Sequence, residues 1–110
     1  MDSDDTPVVT DQPGESRYEV RVGGELAGFL VYRLRGQLIN LIHTEVDPRF
    51  QGAGLAARLA RFSLDDARKR NLAVLPSCPY VRSWIGRHPD YADLIPAQDT
   101  DTRDTGKEAT

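Results

Sequence analysis

The sequence predicts an α+β (mixed α/β) fold in which an antiparallel β-meander is followed by a helix, a strand and a second helix on one mixed sheet. Three observations predict it. "RYEVRV" alternates Tyr18, Val20 and Val22 with charged residues and runs into Gly23-Gly24, a two-residue hairpin signal. Two apolar runs, "ELAGFLVYRLR" and "LINLIHTEV", are separated by a turn around Gly36. From Gly52 to Arg70 the period changes to that of a helix, with Leu55, Leu59, Phe62 and Ala67 on one side and Arg58, Arg61, Asp65 and Arg68 on another. The apolar continuity of the second and third runs predicts strands covered on both faces. Lys69 and Arg70 suit the negative end of the helix dipole. "LAVLPS" then reads as a short buried strand, and strand, helix, strand succession favours parallel pairing with a right-handed crossover. Pro79 opens the second helix, with Val81, Trp84, Ile85 and His88 on one face and Pro89 as its stop.

Of 110 residues, 39% are hydrophobic and 28% charged, the composition of an ordinary globular chain. The net charge of -3 divides unevenly. Residues 1–16 hold five acidic and no basic residues, and residues 97–110 hold four acidic and two basic. The stretch 17–96 holds twelve basic and eight acidic. Both ends are poor in apolar residues and are expected to be disordered tails, acidic at 1–16, around a domain at 17–96. No apolar run approaches a membrane span, and the acidic N-terminus is unlike an export signal, so a cytoplasmic protein is expected, with no membrane partner. No contiguous basic stripe with interleaved aromatics is present, which argues against nucleic acid and for a small anionic ligand. Cys78 is the only cysteine, so a disulfide within the chain is excluded, and with two distant histidines no metal site is expected.

The glycines of "EVDPRFQGAGLAARLARF" raise the question of a ligand. "GAGLAA" matches the dinucleotide pattern G-x-G-x-x-G/A, but five residues, Asp47 to Gln51, separate it from its strand, no acidic residue ends the next strand, and antiparallel hairpins precede it. A P-loop lacks its Lys-Ser or Lys-Thr. Val46-x-Pro48 followed by Arg49-x-x-Gly52-x-Gly54, between a buried strand and an amphipathic helix, instead resembles the acyl-CoA motif of the GNAT N-acetyltransferase superfamily. "HTEV" and "CPYVRSWIGRHPDYADL" are similar to its minimal, single-domain YjdJ-like branch, and the resemblance spans 17–96.

The resemblance implies a GNAT-like sheet whose third and fourth core strands splay to form an acyl-CoA cleft. It implies an acetyl-CoA-dependent N-acetyltransferase acting on an amine of a small molecule or protein; a monomer or weak dimer is expected. A CoA- or acyl-CoA-binding module without turnover is the alternative. Acetyl-CoA would be held at Val46, at Arg49, Phe50, Gln51, Gly52, Ala53, Gly54 and Leu55, and at Cys78 and Tyr80. Glycines admit an anion close to backbone N–H groups, and a helix N-terminus adds positive potential. For the base, Glu45 comes first and His43 second; two residues apart on a strand, they share a face. Where family members commonly carry an Asn and a Tyr for the departing thiolate, this sequence has Cys78 and Ile85. Cys78 is thereby a catalytic candidate, as an acetylated intermediate or as a hydrogen-bond partner of the CoA sulfur. Arg58 and Arg61 are solvated charges by default, within reach of a CoA phosphate.

Overall fold

The computed structural model describes residues 6–96. Five strands form one sheet in sequence order: β1 (Val8–Gln12), β2 (Arg17–Val22), β3 (Glu25–Arg35), β4 (Leu38–Val46) and β5 (Ala73–Pro76). The first four pair antiparallel. β5 joins β4 in parallel after α1 (Leu55–Lys69), the pairing that a helical crossover allows. α2 (Pro79–Arg87) and a 3-10 turn at Pro89–Leu94 complete the fold.

β1 corrects the expectation of a disordered tail over 1–16, because Val8–Gln12 pairs in register with β2. The strand is weakly apolar and is held instead by polar contacts that composition does not reveal. Asp11 accepts a 2.6 Å hydrogen bond from the Tyr32 hydroxyl on β3 and lies 3.6 Å from Arg70 at the end of α1. The expected tail segments 1–5 and 97–110 lie outside the described residues.

Tyr18, Val20, Leu30, Tyr32, Ile39, Leu41 and Val74 are fully or nearly fully buried, and the strand register makes them neighbours on one face. There they join Leu55, Leu59, Leu64 and Ala67 of α1 and Val81, Trp84 and Ile85 of α2 in one core. Each buried Leu, Ile or Val among them is worth about 1.5–3 kcal/mol. The expectation that β3 and β4 are covered on both faces is corrected, since burial alternates along β4. The opposite face carries Arg17, Phe29, Val31, His43 and Glu45. Phe62 also departs from its expected place. The fully buried Ser63 occupies that turn of the α1 face, its hydroxyl donating to Ala60 O, while Phe62 sits one residue round, 37% exposed and edge-on to Tyr18.

Candidate active site

The site begins with an irregularity in β4. Val31 pairs with His43 but Tyr32 with Leu41, so Ile42 is an extra residue, a β-bulge. Ile39 and Leu41 face the core before it; after it Thr44 and Val46 do, opposite Leu30 and Gly28, and His43 and Glu45 turn to the other side. The ladder to β5 stops at the same point. Its last pair is Leu41 with Pro76, extended by one bond from Cys78 N to Leu41 O (2.8 Å). Asp47 N bonds Ala27 O on β3, so the alternation of the strand directs the N–H and C=O of Thr44 and Val46 to the edge that β5 has left. The two parallel strands therefore splay, leaving that arm of the gap without a strand partner; the Val46 carbonyl accepts a long bond from Gln51 Nε2 (3.4 Å).

The other wall is the start of α1. Asp47 caps a 3-10 turn at Pro48–Phe50, and Gly52 and Gly54 follow with φ of 90° and 74°. That left-handed backbone suits glycine. It also places the start of α1 at Leu55, later than the helix expected from Gly52. No side chain caps this helix, and its first internal bond runs from Arg58 N to Gly54 O. The N–H groups of Leu55, Ala56 and Ala57 consequently have no partner within the helix and point out of its positive end. A Cβ on either glycine would meet no atom within 4 Å. These parts enclose a cavity of about 360 Å³. Thr44, Val46 and Tyr80 line one side, and Phe50, Gln51, Gly52, Gly54 and the first turn of α1 the other. Such a site fits an anion at the helix end and an extended polar chain along β4.

Cys78 is the N-cap residue of α2, 3% exposed, with Sγ 3.3 Å from Thr44 Oγ1. Thr44 lines the cavity and Cys78 lies behind it. Sequence reasoning passed over Thr44, which the alternation of "HTEV" alone assigns to neither face; only the bulge does. Burial holds the Tyr80 hydroxyl above the ordinary tyrosine range, with the positive charge of Arg87 pulling the other way, so it is a proton donor at neutral pH.

Glu45 and His43 are brought together, Nε2 to Oε1 3.1 Å, but on the opposite face, 61% and 58% exposed. Glu45 there edges a recess of about 190 Å³ with Asp47 and Phe29. Arg49 does not line the main cavity. Asp47 and Glu25 hold its guanidinium at 3.2 and 2.6 Å, which raises its pKa further and pulls the Asp47 carboxyl below the usual range. Ala53 lines the adjoining groove instead. His88 bonds the Trp84 carbonyl through Nδ1 (2.8 Å) and stacks on the indole at 3.7 Å, as a packing histidine does.

Residues 17–94 match the family model described as GCN5-related N-acetyl-transferase. The chain belongs to this family. Members of this family are acyltransferases that use an acyl-CoA and an acceptor substrate. Protein NATD1 of Mus musculus is 29% identical over 75 residues, covering 66% of this chain and 68% of that one, and Protein NATD1 of Gallus gallus is similar to the same extent. A GCN5-like structure from Staphylococcus aureus has a TM-score of 0.64 at 19% identity, over 89% of this chain and 96% of that one, and so shares the fold. The ribosomal-protein-S18-alanine N-acetyltransferase of Escherichia coli superposes with a TM-score of 0.51 at 25% identity, over 53% and 38% of the two chains.

Proposed function

We propose that this N-acetyltransferase binds acetyl-CoA with its pyrophosphate on the N–H groups of Gly54 to Ala57 and its pantetheine along the open edge of Thr44 and Val46. One observation carries the reading: a positive, uncapped helix end and a strand edge that β5 leaves uncovered line the same cavity, the Val46 carbonyl there accepting only a long bond from Gln51 Nε2 (3.4 Å). The thioester supplies an activated acyl group. Transfer to an amine makes a C–N bond and breaks the C–S bond, so a proton must leave the ammonium and a proton or hydrogen bond must reach the departing sulfur.

Glu45, with His43 beside it, faces away from the cavity, so it takes the amine's proton from an acceptor that approaches from the far face of the sheet, past the end of the β4–β5 ladder. The Thr44 hydroxyl, tied to Cys78, meets the departing sulfur. Transfer is direct in this reading, because Cys78 is buried behind a residue that itself lines the cavity. The exposed recess at Glu45 and Asp47 suits a cationic amine of a protein or a small molecule.

Calorimetric titration with acetyl-CoA tests binding, and no heat at millimolar ligand would sink the proposal. Mass spectrometry after incubation with acetyl-CoA tests the route. The expected result is no acetyl on Cys78 and transfer to some member of an amine panel. An acetyl on Cys78 that leaves when amine is added would replace the direct route, and binding without transfer would make the chain a CoA-binding module.

A further inference from the structure

We infer that the groove between α1 and α2 recognises the 3'-phosphate of CoA, through Arg58, Arg61 and Arg87, and so makes the protein selective for CoA over dephospho-CoA. This rests on the acetyl-CoA reading above and adds a discrimination that the pyrophosphate cradle cannot supply. The groove has a volume of about 660 Å³ and shares Gly54, Ala57 and Tyr80 with the main cavity. Because the two cavities meet at Gly54, a nucleotide whose pyrophosphate sat there would have the groove within reach of its ribose.

The lining is unusual in charge. Arg58 and Arg61, one turn apart on α1, and Arg87, in the last turn of α2, all line it, and no carboxylate does. Elsewhere in the described residues, Arg17 and Arg21 are paired with Glu19, Arg68 with Asp93, and Arg70 with Asp66 and Asp11, while Arg82 donates to the Pro76 and Ser77 carbonyls. None of the three groove arginines has such a pair among the described residues. Arg87 donates to Ser83 Oγ (2.8 Å), while Arg61 lies over the Trp84 ring and reaches only the Tyr91 hydroxyl at 3.4 Å, whose own proton goes to Asp65.

Three guanidiniums lining one groove without counter-charge favour a compact dianion. A phosphate monoester carries nearly two negative charges at neutral pH and accepts several guanidinium hydrogen bonds. Adenine has no charge to answer them. The 3'-phosphate is the part of CoA that dephospho-CoA lacks, which makes the inference directly measurable.

The test is calorimetric titration of the full chain with CoA and with dephospho-CoA, repeated on the variant R58Q/R61Q/R87Q after a thermal melt has established that it folds. The wild-type protein should bind dephospho-CoA at least about tenfold more weakly. In the variant the affinity for CoA should fall to that for dephospho-CoA, with the latter unchanged. Equal wild-type affinities would overturn this inference and leave the acetyl-CoA reading standing. A variant that weakens both ligands alike would also overturn it, by assigning the arginines to the pyrophosphate. Failure of both ligands to bind the wild-type protein would overturn the acetyl-CoA reading and this inference together.

Discussion

Gly52 shows what one residue contributes to the site. Its φ of 90° and the open space around its missing Cβ let the loop run close to a ligand. Valine there would strain the backbone and project its methyl groups into space that no protein atom occupies. Gly52→Val should therefore weaken CoA binding by about tenfold or more, equivalent to losing one good charged hydrogen bond, and lower the melting temperature through the strain of a β-branched residue at positive φ. Titration of variant and parent decides it, and equal affinities would remove the pyrophosphate from this loop. Thr44 makes a complementary case: Thr44→Val keeps the volume but removes the hydroxyl that meets Cys78. Turnover should fall while the affinity for CoA stays near that of the parent, a split that steady-state kinetics alongside calorimetry would resolve. Both residues lie in "HTEVDPRFQGAG", but they differ in legibility. A glycine before a helix can be read from the sequence, whereas a threonine between two catalytic candidates gives no sign of which way it faces.

Among elements, β4 depends on a neighbour that is easily overlooked. A Cβ on Gly28 of β3 would stand 2.8 Å from the Glu45 carbonyl and 3.3 Å from Val46 Cα, both backbone atoms of β4. Backbone cannot swing aside as a side chain can, so Gly28→Ala must push the strands apart at the wall of the cavity. It should destabilise the fold by about 1–3 kcal/mol and weaken CoA binding as well, to be read by urea denaturation and titration. β1 depends on polar contacts. Tyr32→Phe removes the 2.6 Å bond to Asp11 and should cost about 1–2 kcal/mol, with the amides of Val8–Gln12 losing protection from hydrogen exchange. The tail-like composition of residues 1–16 concealed this strand because its anchor is a tyrosine 21 positions away in the sequence.

At the scale of the molecule, the core carries its own pH dependence. Burial, then the hydrogen bond to Asp66, raises the Tyr18 hydroxyl well above the ordinary tyrosine range; burial and the bond to Asp11 do the same for Tyr32. Between the ordinary value of about 10 and these raised values, the folded chain keeps protons that the unfolded chain loses, so stability falls as pH rises. The melting temperature should drop progressively above about pH 10, and the drop should be shallower in Tyr18→Phe. On the acid side, Asp47 and Asp93 are held low by Arg49 and Arg68, so their small contributions are present above the ordinary carboxylate range and fade as pH falls below it. Those pairs are exposed, and solvent screens them, so their contribution is small.

The sequence by itself determined the succession of strands and helices after β1, the hairpin at Gly23-Gly24, the helix after the glycine loop and the family motif. These are local: side-chain period, turn chemistry and a glycine's φ act within a few residues. Tertiary structure alone decided three things. The bulge at Ile42 turned Thr44 toward the cavity and His43 and Glu45 away from it. The end of the parallel ladder at Leu41 opened the strand edge. The packing of α2 beside α1 brought Arg87 to Arg58 and Arg61. Each depends on pairing or packing between segments distant in the chain, where a one-residue change of register reverses every side chain beyond it.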